Sequence, residues 1–213
     1  MPRTRIKICG ITRPEDAVHA ARLGVDALGL VFAERSPRRI DWDAARAIRA
    51  ATPPFVTLVA LLMDAPPSDV QALLAAVEVD ILQFHGAESE EECRSYGKPY
   101  IKAIAMGGAE RMTAEAAAGQ GAYRSAVAWL YDAHAIGEPG GRGRQFDWSG
   151  VPRRPCRPAI LAGGLTPDNV AAAVRTVRPY AVDVSSGVET APGIKDHVLM
   201  QRFVEQVGVG DAG

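Results

Sequence analysis

Short apolar runs recur along the chain at a spacing that predicts parallel β-strands separated by helices. The intervening segments mostly carry apolar positions at helical spacing. Strands that alternate with helices form parallel sheets, because each helix returns the chain to the start of the next strand. We identify eight strand-length runs, at residues 5–9, 26–32, 55–62, 81–85, 99–106, 126–132, 158–164 and 181–187.

Eight such units in 213 residues predict an α/β fold, a single-domain (β/α)8 TIM barrel that occupies residues 1–213. A doubly wound sheet more often stops at about five or six strands. We expect Thr166 to cap a helix whose first residue is Pro167. The segment at 134–155 contains several glycines and little helical pattern, so we expect a long mobile loop there. The tail at about 208–213 should fray.

Composition narrows the classes of function. The formal net charge is −1 and Lys and Arg are not clustered, so nucleic acid is not an expected partner. The longest strongly apolar run, 55–63, is shorter than the roughly 18 residues of a membrane span. The chain has three cysteines, an odd and scattered set unlike a disulfide framework or a zinc site. These features favour a cytoplasmic protein with no membrane partner.

In a barrel of this class, functional side chains gather where the strands end. Alternation along the first strand turns Lys7 and Cys9 to the same inward face. A cysteine at this position can be a small buried hydrophobic residue or an active thiol. The cationic Lys7 one layer below would favour the thiolate, which is the form that acts as a base.

Asp132 is the only charged residue of the sixth strand and lies at its end. An aspartate there can cap a helix or form a turn. The glycine-rich segment that follows offers no obvious helix to cap, so we expect Asp132 to pair with Cys9 as acid and base on opposite sides of the rim.

Two small-residue turns follow the seventh and eighth strands, where barrel enzymes commonly bind phosphate. Glycines allow close approach of the backbone to an anion, and a helix N-terminus supplies free N–H groups. We therefore expect these turns to bind a phosphate through Gly163, Gly164, Ser185, Ser186 and Gly187.

Four further polar side chains lie at or just after strand ends. Arg38 and Arg39 follow the second strand and could form a solvated basic turn or clamp a substrate carboxylate. Gln83 and His85 share one face of the fourth strand, as substrate-positioning groups or as an inner polar layer. The histidines show no metal-ligand spacing, so no metal is expected.

The motifs KICGIT, SPRRI, LQFHG, LAGGLTPDNV and AVDVSSGVETAPGIKD, in this order over nearly the whole chain, resemble phosphoribosylanthranilate isomerase. The resemblance implies an Amadori rearrangement of N-(5-phosphoribosyl)anthranilate in tryptophan biosynthesis, without metal or organic cofactor. By position in the motifs, Asp132 would be the general acid and Cys9 the general base. Arg38 would contact the anthranilate carboxylate, the two small-residue turns would bind the phosphate, and Asp183 lies nearby on the inward face.

The chain departs from the family pattern after the sixth strand. A glycine-rich loop there usually contains Gly-Gly-Thr/Ser-Gly-Lys, whereas this chain has Arg142 at the hydroxyl position and Arg144 at the end. Members of the family are monomers or homodimers. Two alternatives remain open: a histidine-pathway isomerase, which resembles two half-barrels with an aspartate in place of Cys9, and an inert barrel that binds a phosphometabolite without turnover.

Overall fold

The structure, a computed structural model, describes residues 3–107, 122–133, 146–152 and 155–213. Eight parallel strands form a closed barrel in chain order, and β8 pairs with β1 to complete the ring. The strands are β1 Arg5–Cys9, β2 Ala27–Val31, β3 Thr57–Leu62, β4 Ile81–Phe84, β5 Tyr100–Ala105, β6 Ala128–Asp132, β7 Ala159–Leu161 and β8 Ala181–Val184. The predicted (β/α)8 fold is confirmed.

Helices cover the outside of the barrel. Those within the described residues are α1 Pro14–Arg22, α2 Trp42–Ala51, α3 Pro67–Ala76, α4 Glu90–Ser95, α5 Val170–Val177 and α6 His197–Asp211. A hairpin of β9 Glu189–Ala191 and β10 Ile194–Lys195 follows β8, and short 3-10 turns occupy Trp148–Gly150 and Ser186–Val188. No helix in the described ranges has the length and apolar content needed to cross a bilayer.

Two apolar layers stabilise the barrel. Small and medium side chains fill its interior, among them Val59, Ala103 and Leu130. Larger side chains, including Trp129 and Phe203, are fully buried in the outer layer between strands and helices. The narrow interior accepts only modest volumes, so the bulky residues take the outward positions of each strand.

The helix starts test the local predictions. At the start of α2, Asp41 caps the helix, because its Oδ1 accepts a hydrogen bond from Ala44 N at 2.8 Å. The predicted cap by Thr166 is present, since Thr166 Oγ1 accepts a hydrogen bond from Asp168 N at 3.2 Å, but the predicted first residue Pro167 is wrong because α5 begins at Val170. The Asn169 carboxamide also bonds Thr166 N and Gly164 O at 2.8 and 2.9 Å, which holds the preceding residues in a turn.

Some predictions fall outside the described residues. They concern the part of the predicted loop at 134–155 that contains Arg142 and Arg144. The fraying of 208–213 stays a prediction. Within that tail, Asp211 accepts hydrogen bonds from Thr4 N and Thr4 Oγ1 at 2.8 and 2.6 Å.

The outer apolar layer predicts that substitutions at buried and exposed positions of α6 differ strongly in their effect on the free energy of unfolding. Replacing the fully buried Phe203 by alanine should lower the free energy of unfolding by about 3–5 kcal/mol, because it leaves a cavity between helix and barrel. Val198 on the same helix is 74% exposed, and its alanine variant should stay within about 0.5 kcal/mol of wild type. Urea unfolding measures both. Equal losses would contradict the assignment of Phe203 to the core.

Candidate active site

A cavity opens at the rim formed by the C-terminal ends of the strands. It encloses about 710 Å³ of space between protein atoms, part of it open to solvent. The sequence-predicted residues that line it are Cys9, Arg38, Gln83, His85, Asp132, Gly163, Gly164, Asp183, Ser185 and Ser186. The fold thus brings together ten of the eleven residues that the motifs and strand ends assigned to catalysis or substrate binding. Arg39, the second arginine of its turn, is exposed and does not line the cavity.

Gly187 is the exception, because it does not line the cavity. A Cβ built on it would collide with the Leu165 carbonyl oxygen. The turns after β7 and β8 therefore touch each other at this glycine, which leaves no room for a side chain. Its part in the site is to let the two small-residue turns pack side by side.

Cys9 is buried at the end of β1 and faces the cavity. Gly29 on the neighbouring strand provides the space for its thiol, since a Cβ there would lie 2.7 Å from Cys9 Sγ. Burial is the largest influence on the thiol and raises the pKa of Cys9. Lys7 acts in the opposite direction, as the sequence suggested.

The influence of Lys7 is offset because its charge is already paired. Lys7 Nζ lies 3.0 Å from Asp183 Oδ1, and both side chains are buried in the barrel below Cys9. Burial also raises the pKa of the Asp183 carboxyl, and Lys7 opposes this effect. The sequence prediction that Lys7 favours the thiolate therefore holds in direction, but the pair as a whole is neutral.

Asp132 lies across the cavity at the end of β6. Its Oδ2 is 3.2 Å from His85 Nε2, and His85 Nδ1 is 3.3 Å from the Gln83 amide nitrogen. Gly163 adopts φ +81°, and a Cβ there would approach Asp132 Oδ1 to 3.0 Å. A glycine at 163 thus gives the turn its left-handed conformation and keeps the approach to Asp132 open.

Arg38 is buried rather than a solvated turn. Its Nε donates to Glu189 Oε1 at 2.9 Å, and its Nη2 donates to Oε2 at 2.7 Å. Because Glu189 occupies this edge of the guanidinium, the Nη1 edge is the part available to a ligand. Gly10, at φ +75°, makes room for the arginine, since a Cβ there would lie 2.5 Å from Arg38 Cδ.

The cavity has an apolar wall as well as polar ends. Val31, Ala33, Leu61 and Met63 cover the side between Arg38 and the end of β3. Two buried polar atoms, Gln83 Oε1 and Ser185 Oγ, have no hydrogen-bond partner within the described part of the chain. In the same part, no three His, Cys, Asp or Glu side chains lie where they could hold a metal ion.

The sequence analysis missed Glu189, Lys195 and the apolar wall. Lys195 is buried and donates from Nζ to Glu189 Oε1 at 2.7 Å and to the Cys9 carbonyl oxygen at 2.6 Å. The signal that could have found this pair is the presence of isolated charges in a short Gly- and Pro-containing hairpin directly after a rim strand.

Comparison with known proteins identifies a family. Residues 6–206 match the family model described as N-(5'phosphoribosyl)anthranilate (PRA) isomerase. The N-(5'-phosphoribosyl)anthranilate isomerase of Nitrosococcus oceani is 53% identical over 205 residues, 96% of this chain and 98% of that protein. The enzyme of the same name from Halorhodospira halophila is 50% identical over 209 residues, 98% and 99% of the two chains.

Solved structures agree. Phosphoribosyl anthranilate isomerase in complex with reduced 1-(o-carboxyphenylamino)-1-deoxyribulose 5-phosphate superposes with a TM-score of 0.79 at 36% identity, over 96% of this chain and 98% of that one. Monomers generated from the dimeric enzyme of Thermotoga maritima superpose with a TM-score of 0.78 at 33% identity, with the same coverage.

The raised pKa of Cys9 predicts that its alkylation has a midpoint at higher pH than that of free cysteine. Iodoacetamide reacts with the thiolate, so a thiol with a raised pKa reacts fully only at higher pH. In a Cys156→Ser background, which removes the exposed cysteine, we expect a midpoint above the value of about 8.5 for free cysteine. The remaining Cys93 stays silent because its pKa is about 12. A midpoint below that of free cysteine would contradict the dominance of burial.

Proposed function

Because the chain belongs to the N-(5'-phosphoribosyl)anthranilate isomerase family, we propose that the rim cavity is its active site and that Cys9 and Asp132 carry out the proton transfers. The chain catalyses the Amadori rearrangement of N-(5-phosphoribosyl)anthranilate to 1-(2-carboxyphenylamino)-1-deoxyribulose 5-phosphate, the isomerase step in tryptophan biosynthesis. The observation that carries the proposal is the position of a thiol and a carboxyl on opposite walls of one cavity.

The shape of the cavity supports one orientation of the substrate. An aromatic ring fits the apolar wall formed by Val31, Leu61 and Met63, with its carboxylate beside Arg38. Arginine suits this role because its planar donors match a carboxylate. The phosphate then falls among the small-residue turns after β7 and β8, and the ribose lies between Cys9 and Asp132.

Asp132 acts first, as general acid. It protonates the ribose ring oxygen, so that the ring opens to a Schiff base. His85 orients the Asp132 carboxyl through its Nε2, and Gln83 fixes the other edge of the imidazole. This arrangement directs the carboxyl into the cavity, toward the sugar.

Cys9 acts second, as general base. Its thiolate removes the proton from C2 of the opened sugar and gives an enolamine, which tautomerises to the product. Burial raises the pKa of the thiol, so only a small fraction of it is thiolate near neutral pH. This fraction can remove the C2 proton because the neighbouring cationic Schiff base makes that proton more acidic. A thiolate with a raised pKa is also the stronger base.

We predict that Cys9→Ser and Asp132→Asn each lower kcat by about 10²–10⁴-fold, because each removes one general acid–base group. Binding of the reduced product analogue, measured by calorimetry, should change little, since the carboxylate and phosphate contacts remain. Cys156→Ser is the matched control and should keep wild-type turnover, because Cys156 is exposed and outside the cavity. Full activity in either active-site variant would refute the assigned role.

We infer that the protein assembles as a homodimer rather than remaining a monomer. Phe55, in the loop before β3, is 101% exposed with φ +70°, a costly position for a large apolar residue. At the strand starts the barrel has a depression of about 860 Å³, part of it open to solvent. Its lining is mostly apolar, with Ala27, Ile81 and Ile160 among the residues, and also includes the charged Arg5, Lys7 and Asp26. A two-fold dimer lets each Phe55 fill the depression of the other copy.

Sedimentation velocity tests the assembly. The wild type should sediment as a dimer and Phe55→Asp as a monomer, because a carboxylate cannot enter a mostly apolar depression without a large desolvation cost. Val198→Asp is the matched control, since Val198 is 74% exposed on α6, and should sediment like the wild type. A monomeric wild type across the concentration range would contradict the homodimer.

We also place the protein in the cytoplasm and expect neither nucleic acid nor membrane as a partner. All three cysteines are unpaired, which suits a reducing compartment. The near-neutral net charge of −1 provides no electrostatic footprint for a polyanion.

A further inference from the structure

The ammonium group of Lys195 is buried at the rim with all its donors engaged by active-site elements. Nζ donates to the carbonyl oxygen of Cys9 at 2.6 Å, to Glu189 Oε1 at 2.7 Å and to the carbonyl oxygen of Ser185 at 3.2 Å. A lysine ammonium has three donors, so each finds one acceptor. One side chain thus ties together the end of β1, the turn after β8 and the carboxylate that holds Arg38.

The two buried ionic groups near Cys9 differ in net charge. Lys7 and Asp183 form a one-to-one pair that cancels. Glu189, by contrast, is shared between two cations, Arg38 at 2.7 Å and Lys195 at 2.7 Å, which leaves an excess of one positive charge. Burial of an uncompensated charge is costly, so the excess calls for an anion in or beside the cavity.

We propose that Lys195 is a positioning residue for the isomerase reaction: it fixes the backbone at Cys9 and Ser185, holds Arg38 through Glu189, and supplies the excess positive charge that the Cys9 thiolate and the anionic substrate share. The proposal rests on the role of Cys9 given under Proposed function. It adds the β9–β10 hairpin as a second source of electrostatic support for the thiolate, beside Lys7 on the same strand as Cys9.

The hairpin that carries Lys195 is anchored to the segment just after Cys9. Thr12 Oγ1 donates to the Gly193 carbonyl oxygen at 2.5 Å, and Lys195 N lies 3.4 Å from Asp16 Oδ2. Arg13 holds the same aspartate at 2.8 Å. These contacts hold the hairpin in place, so the fold sets the position of Lys195 relative to Cys9.

The charged groups that act on the Cys9 thiol lie on β1, on β8 and on the β9–β10 hairpin. Lys7 and Lys195 lower the pKa of its thiol, whereas burial and Asp183 raise it. Burial also disfavours the charged form of Lys195 and lowers its pKa, whereas Glu189 opposes this effect. The full set of groups to be considered in a pH profile is Lys7, Arg38, His85, Asp132, Asp183, Glu189 and Lys195.

Two substitutions change the charge of this cluster in opposite directions. Lys195→Met keeps most of the side-chain volume and removes the positive charge, whereas Glu189→Gln keeps acceptor and shape and removes the negative charge. We measure the pH midpoint of Cys9 alkylation by iodoacetamide in the full-length Cys156→Ser protein. Lys195→Met should raise the midpoint by about one unit or more and Glu189→Gln should lower it, as expected for a nearby charge.

Activity should follow the thiolate. Each unit of rise in the midpoint lowers the thiolate fraction near neutral pH about tenfold, so kcat should fall by at least this factor in Lys195→Met. Lys195→Arg, which retains the charge, should restore the alkylation midpoint more fully than the rate, because the guanidinium cannot reproduce all three short contacts.

Lys102→Met is the matched control. Lys102 is equally buried and paired with Glu88 at 2.9 Å, but it does not line the cavity. It should lose stability in urea without any change in the Cys9 midpoint. If Lys195→Met does not fold, Glu189→Gln still tests the sign of the effect.

The proposal is overturned if the midpoints of Lys195→Met and Glu189→Gln both stay at the wild-type value, or move in the same direction, in folded protein. Failure of the proposed role of Cys9 gives a different result. In that case Cys9→Ser retains full turnover, whereas the alkylation midpoints of the Lys195 and Glu189 variants still move apart.

Discussion

Closure of the sheet between β8 and β1 is the constraint on which the site depends. The register places Lys7 opposite Asp183, with Ile8 opposite Val184. Alternation then sends both charged side chains into the barrel, where neither can reach water, so they must pair with each other. The pair forms a polar floor, and the next inward-facing residue of β1, two positions on toward the rim, is Cys9. A thiol at the rim above a neutral ion pair is thus a direct consequence of this register.

The charge balance of the cavity follows from what is added above that floor. The β9–β10 hairpin brings a second cation to a carboxylate that Arg38 already occupies, which makes the rim positive on the side of β1, β2 and β8. The apolar wall at the ends of β2 and β3 lies beside this region. A substrate with an aromatic carboxylate and a phosphate fits this site, because its ring can contact the apolar wall and its anionic groups can contact the positive rim. The acid, Asp132, stands on the far wall with His85, away from the excess positive charge.

Much of the barrel could be predicted because it depends on local periodicity. Alternation in a five-residue strand was enough to predict that Cys9 faces inward. The helix after β7 begins later than expected because 166–169 form a separate turn. Thr166 Oγ1 accepts from Asp168 N, while the Asn169 carboxamide bonds Thr166 N and Gly164 O, an arrangement that depends on the shape of the turn. The cluster of Arg38, Glu189 and Lys195 was missed for a different reason. It joins residues about 150 positions apart, and only the closed barrel brings them together.

The most direct test of the account is the kinetic isotope effect with substrate deuterated at C2 of the ribose. If Cys9 removes this proton after Asp132 opens the ring, Cys9→Ser makes C–H cleavage limiting and increases the isotope effect on kcat/KM. Asp132→Asn makes ring opening limiting and decreases it. The same isotope effect in both variants would contradict the division of roles between the two walls of the cavity.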